Sequence, residues 1–176
     1  ADREGRVQIA PLGLIEEGGL LVIAPFRPST TLDNLEAVPF AVANYTDDVR
    51  VFAGCLTGRR DWPLVPTEGP VARLAAALAH AELSVQERVE HEQRPHFRCR
   101  VEREVVHAPF RGMNRARAAV VELAILVSRL GMLPREKVES EVAYLEIAVS
   151  KTAGPEELEA WSWLMERVRD HYGEAA

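Results

Sequence analysis

LLVIAPFRPSTTLDNLEAVPFAVANYTDDVRVF, residues 20–52, is the stretch whose reading decides the fold. Leu20, Leu21, Val22 and Ile23 make an apolar run too short for a helix and long enough for a buried strand. Pro25 and Pro28 break it within a polar elbow that holds Arg27, Ser29, Thr30 and Thr31. Thr31 is placed to cap a short helix through Leu32, Asp33, Asn34 and Leu35. Phe40, Ala41, Val42, Ala43 and Asn44 form the next strand, which runs through Tyr45 and Thr46 into an Asp47-Asp48 turn. Residues 51–56, with Cys55, read as one more strand. A helix start presents backbone N–H groups without partners and the positive end of a dipole. Hydroxyls and a guanidinium gathered there form a cradle for the phosphate of a cofactor. The same residues also serve as an ordinary cap beside a solvent-facing arginine.

Upstream, residues 11–15 and 20–24 flank Glu16-Glu17-Gly18-Gly19 and read as a hairpin. Val7, Ile9 and Leu12 begin an earlier strand. The A-D-R-E-G before it has the composition of a hairpin turn, which implies a further strand ahead of residue 1. Several antiparallel strands from so few residues point to a meander or barrel rather than a βαβ unit. Downstream, residues 57–70 form a loop with Arg59-Arg60 and Trp62, either a lid or partner contact or a mobile insertion. Residues 71–80 are alanine-rich and read as a short helix. Leu83, Val85 and Val89, then Phe97, Cys99, Val101 and Val105, alternate with polar residues as the two arms of a long antiparallel hairpin with one buried face.

From Arg115 the apolar period changes from two to nearly four, and three helices follow. The first runs from there to Gly131, with Asn114 as its cap. Pro134 opens the second, with a stripe of Val138, Val142, Leu145 and Val149. Pro155 opens the third, with Glu156 and Glu157 in its first turn. Leu158, Trp161, Met165, Val168 and Tyr172 line one face of it, and Gly173 stops it. Arg111, Arg115 and Arg117 crowd the start of the first of these helices, where the dipole disfavours positive charge. Either they reach into water or they share an anion.

A length of 176 residues suits one domain, or a compact barrel with a helical annex. A net charge of −6 argues against a general nucleic-acid binder. No apolar run approaches a membrane span, and no signal peptide opens the chain, so the expected location is cytoplasmic, away from the membrane. Cys55 and Cys99 read as core thiols. His80, His91, His96 and His107 lack ligand spacing, so no metal site is expected.

Three segments in order carry a resemblance: A-P-L-G-L at 10–14, A-P-F-R-P-S-T-T-L-D-N-L at 24–35 and N-Y-T-D-D-V at 44–49. Further on come F-R-C-R-V at 97–101, F-R-G-M-N-R-A at 110–116 and K-T-A-G-P-E-E-L-E-A at 151–160. Together they resemble the domain-of-unknown-function 447 family, a branch of the flavin-reductase-like split-barrel proteins, which bind flavin mononucleotide (FMN). The resemblance implies an α+β fold, with an antiparallel split β-barrel over residues 1–110 and a C-terminal three-helix region over 111–176. It implies FMN as cofactor and a homodimer with the flavin at the subunit interface. Arg27, Ser29, Thr30 and Thr31 would bind the phosphate, and Asn34 on the following helix is expected among the cofactor-binding residues. Asn44, Thr46 and Asp47 would meet the ring, and Asn114 and Arg115 would approach flavin or phosphate across the interface. The expected function is an FMN-dependent oxidoreductase or electron-transfer protein with unknown donor and acceptor. A flavin-binding module without turnover, or a protein-interaction module, are the alternatives, since no side chain stands out as a nucleophile or general base.

Overall fold

A computed structural model describes residues 1–173 of the chain. It divides into two compact units, Ala1–Thr46 with Trp62–Pro109, and Asp47–Asp61 with Phe110–Ala176. The helical unit therefore takes in residues 47–61 from the middle of the strand-rich half, an excursion that a single cut at 110 leaves out.

The first unit is built on a five-stranded antiparallel sheet in the order β1-β2-β7-β6-β3. Its strands are β1 (Leu14–Glu17), β2 (Leu20–Ile23), β3 (Phe40–Tyr45), β6 (Ala79–Val89) and β7 (His96–Val106). A two-stranded ribbon, β4 (Leu64–Val65) with β5 (Arg73–Leu74), completes it. Gly18 and Gly19, both with positive φ, turn β1 into β2 as their composition requires. The long hairpin of β6 and β7 is the centre of the sheet, and two register shifts, at Glu82/Leu83 and Val85/Glu87, bend it. The sheet does not close: β1 and β3 are its two edges, where the expectation was a barrel. Helix α1 (Thr30–Ala37) lays Leu32 and Leu35 on a core of Ile23, Ala43, Ala81, Leu83, Phe97 and Cys99.

Four expectations for this unit need correction. The cap of α1 is Ser29, whose hydroxyl accepts the Leu32 N–H at 3.2 Å, so the helix begins at Thr30 and not after Thr31. Val7 and Ile9 lie in no strand among the described residues. Residues 71–80 are no helix: alanine propensity yields to pairing, because Leu78 N–H reaches Tyr45 O and β5 must meet β4. The β6–β7 hairpin has more than one buried face, since His80, Glu82 and Ser84 of β6 are buried opposite Ala81 and Leu83.

The second unit contains α2 (Val49–Leu56), α3 (Arg115–Val127), α4 (Arg135–Thr152) and α5 (Pro155–Tyr172), four helices where three were expected. Residues 51–56 are helix rather than strand. The apolar run is short enough to fit either period, and the Asp48 side chain decides it by accepting the Arg50 N–H at 3.1 Å as an N-cap. Val120, Leu123 and Leu164, none of them exposed, centre a core shared by all four helices. On α5 the buried line is Glu157, Ala160, Leu164 and Val168, while Leu158 is half exposed, so the stripe is rotated from the expected one. Ser128 ends α3, ahead of Gly131, and Gly173 ends α5 with φ 70°. No helix among the described residues is long and apolar enough to cross a membrane.

Candidate functional site

The elbow after β2 is held rigidly. Both the Nε and Nη2 groups of Arg94 donate to Ala24 O, at 2.9 and 2.7 Å, and the Arg94 guanidinium lies over the Phe26 ring at 4.5 Å. Arg27 N–H donates to Gln93 O at 2.9 Å. These contacts fasten the chain between β2 and α1 to the β6–β7 turn. They leave Arg27 and Thr30 exposed and Ser29 and Thr31 partly so.

At the start of α1 the Leu32 N–H goes to Ser29 Oγ and the Asp33 N–H to Ser29 O, at 3.2 and 3.1 Å. The N–H groups of Thr30 and Thr31 have no acceptor inside the helix, and neither they nor the two hydroxyls find a partner among the described residues. Arg27 stands at the same corner, with its Nη2 3.2 Å from Glu90 Oε2. Glu90 is shared with Arg88, which also reaches Glu36 of α1 at 2.9 Å. The corner thus offers two open backbone donors, two hydroxyls and the positive end of a dipole, beside two arginines that share one glutamate. That donor set fits a phosphate. Asn34, by contrast, turns to the N-terminal stretch, where its Nδ2 donates to Gln8 Oε1 at 3.2 Å.

Asn44 and Thr46, in the same unit, stand apart from this corner. Asn44 Oδ1 accepts the Leu74 N–H at 2.9 Å, its Nδ2 donates to Val42 O, and Thr46 Oγ1 donates to Ala76 O at 3.1 Å. These two side chains pin residues 74–76 against β3. In register Asn44 lies opposite His80, whereas Arg27 joins Glu90 beyond the other end of β6. The eight steps along β6 from His80 to Arg88 come to roughly 26 Å of strand.

Asp47, Asn114 and Arg115 belong to the helical unit. Asn114 caps α3, with its Oδ1 2.7 Å from Ala116 N and its Nδ2 donating to Thr152 O. Asp47 pairs with Arg117, and the Nε of Arg117 donates to Glu157 Oε1 at 2.8 Å. Of the three arginines at the start of α3, Arg117 therefore does meet an anion, and the chain itself supplies it. Burial raises the pKa of Glu157, but the Arg117 bond and the Gly154 N–H outweigh it and leave the carboxyl below its ordinary value. Arg115 is exposed. Sequence reading missed Arg94 and Arg88, the clamp of the elbow; their partners are 70 and 52 residues away in the chain, at Ala24 and Glu36.

Fold and corner together define an α+β protein with an open antiparallel sheet and a polar corner at a helix start. Family comparison is more specific. Residues 1–108 match the N-terminal domain, and residues 114–166 a second domain, of the family described as protein of unknown function (DUF447). The chain belongs to that family. Among solved structures it is similar to the FMN-bound protein MM1853 from Methanosarcina mazei, a DUF447 protein, at 19% identity over 90% of this chain and 86% of that one, with a TM-score of 0.77. That likeness shows the fold, α+β with an antiparallel sheet. Weaker likenesses include the NADH:FAD oxidoreductase SgcE6 of Streptomyces globisporus C-1027 (16% identity, 55% of this chain and 64% of that, TM-score 0.45). Another is an FMN-binding protein of Thermus thermophilus (17%, 53% and 58%, 0.44). No curated protein matches the chain.

Proposed function

We propose that this protein binds FMN, with the phosphate in the cradle formed by Arg27, Ser29, Thr30 and Thr31, and uses the flavin for oxidoreduction or electron transfer. The observation that carries the reading is the start of α1, where two backbone N–H groups and two hydroxyls stand open beside Arg27. Membership of a family that includes an FMN-bound protein supports the choice of flavin over other phosphorylated ligands. Bound FMN would supply hydride or electron chemistry through its ring. The chain's own residues would do the holding. Ser29 keeps the helix start in shape, Thr30 and Thr31 donate to phosphate oxygens, and Arg27 exchanges part of its bond with Glu90 for the phosphate charge. Asn44, Thr46, Asp47 and Asn114 have their polar atoms engaged within the chain and drop out of this reading. Arg115 stays in it as a residue that a second copy would present in a homodimer, which sedimentation would detect.

The test compares FMN with riboflavin by absorbance titration. FMN should bind at least tenfold tighter, about 1.4 kcal/mol, and Thr31→Ala and Arg27→Ala should each shrink that difference. Equal affinity for the two flavins would remove the phosphate cradle, and no binding of either would remove the flavin. Reduction of the bound flavin by a nicotinamide donor, and turnover with an acceptor, would separate an oxidoreductase from a flavin-binding module.

A further inference from the structure

Away from the cradle, β6 carries a polar line that the mechanism above does not use. His80, Glu82 and Ser84 are 4%, 9% and 8% exposed. His80 Nδ1 stands 2.8 Å from His107 Nε2, with ring centroids 5.0 Å apart and planes within 7° of parallel. No atoms of a face-to-face stack approach so closely. Parallel rings whose nitrogens are far nearer than their centroids lie edge to edge, the geometry of one N–H···N hydrogen bond. Two nitrogens 2.8 Å apart also leave no room between them for a metal ion.

One of the two nitrogens carries the shared proton, and the far side of His80 decides which. Its Nε2 is buried without a hydrogen-bond partner, and Glu82 Oε1 lies 3.5 Å from it. A bare lone pair there would face a carboxylate, whereas an N–H would be attracted to it. His80 therefore holds its proton on Nε2 and accepts at Nδ1, so His107 donates through Nε2–H. The Nδ1 lone pair of His107, an exposed residue just past the end of β7, is left open.

Glu82 is fixed in turn, for its Oε2 accepts the Gly69 N–H at 2.7 Å. The charges around the group are Arg73 of β5, Arg103 of β7 paired with Glu68, and Glu102, which accepts from Ser84. Partial loss of water, the Arg73 charge and His80 hold the His107 pKa below the ordinary imidazole value, so its ring is neutral at neutral pH.

We propose that Glu82, His80 and His107 form an acid–base relay in which His107 Nδ1 takes the proton of a weakly acidic O–H or N–H group on a small-molecule ligand. The bond broken is ligand O–H or N–H, the bond formed is Nδ1–H, and the electron pair stays on the ligand as an anion near Arg73. His107 becomes imidazolium, and its Nε2–H remains directed at His80, whose own Nε2–H faces Glu82. His80 and Glu82 are positioning residues. The relay stands independently of the flavin reading, because its test needs no flavin.

Nitrogen-resolved NMR of the full chain, titrated across the imidazole range with para-nitrophenol as probe acid, decides the matter. His107 should appear as the Nε2–H tautomer, coupled across the hydrogen bond to His80 Nδ1. Glu82→Gln should lower the His107 pKa by about one unit while the fold, read from the amide spectrum, is kept. Para-nitrophenol, at a pH near its own pKa, should shift the His107 Nδ1 resonance and show more of the coloured phenolate in the presence of the protein than alone, and His107→Asn should abolish both changes. The Nδ1–H tautomer at His107, an unchanged titration in Glu82→Gln, or a probe that leaves Nδ1 unmoved would each overturn the relay.

Discussion

Replacing Arg117 with methionine removes the cation that faces both Asp47 and Glu157, and the structure sets the size of the effect. Side-chain exposure is 6% for Glu157, 26% for Asp47 and 28% for Arg117. Breaking a fully buried pair costs about 3–5 kcal/mol, and a surface pair contributes about 1 kcal/mol or less. Glu157 sits near the buried limit and Asp47 is partly wet, so Arg117→Met should cost about 2–3 kcal/mol. Urea unfolding at neutral pH reads this, and a double-mutant cycle with Glu157→Gln should return a coupling of about 1.5–2 kcal/mol. The pH dependence has a definite sign. The folded pKa of Glu157 is depressed, so the stability it contributes is present above its unfolded value, and it is lost as pH falls through the folded one. The gap between wild type and Arg117→Met should therefore narrow in acid. A loss under about 0.5 kcal/mol at neutral pH, or a gap that widens in acid, would refute the reasoning.

Three further outcomes are expected. Ser29→Ala should lower stability by about 1 kcal/mol through the lost cap of α1, measured by urea unfolding, whereas Thr30→Ala should cost much less. Gly69→Ala would place a Cβ 2.6 Å from Glu82 Oε2; the carboxylate must move and lose the Gly69 N–H, at about 1–3 kcal/mol, and the His107 titration should shift with it. Cys99 is fully buried, and burial pushes its thiol pKa up to about 11, so a thiol reagent at neutral pH should modify it only at the rate of unfolding, after Cys55.

The local devices were legible in the residues. Gly18-Gly19, Asn114 before α3, Pro155 with two glutamates, and Gly173 each act within one turn of chain, so composition alone predicts them. The Ser/Thr cluster before α1 was equally readable as a helix start, although Ser29 rather than Thr31 caps it. Residues 51–56 misled because a six-residue apolar run satisfies either period, and the capping role of Asp48 passed for a turn.

By itself, then, the sequence determined the family, the hairpins, the helix ends and the polar corner after β2, all of which depend on neighbours in the chain. Tertiary structure alone decided which charges meet. Arg117 finds Asp47 and Glu157 at separations of 70 and 40 residues, and His80 finds His107 across 27. It also decided that Asn44 and Thr46 are spent on residues 74–76 instead of turning outward. The physical reason is that a polar side chain buried on folding takes the partner that packing brings to it, and which partner that is depends on strand order, register and helix rotation.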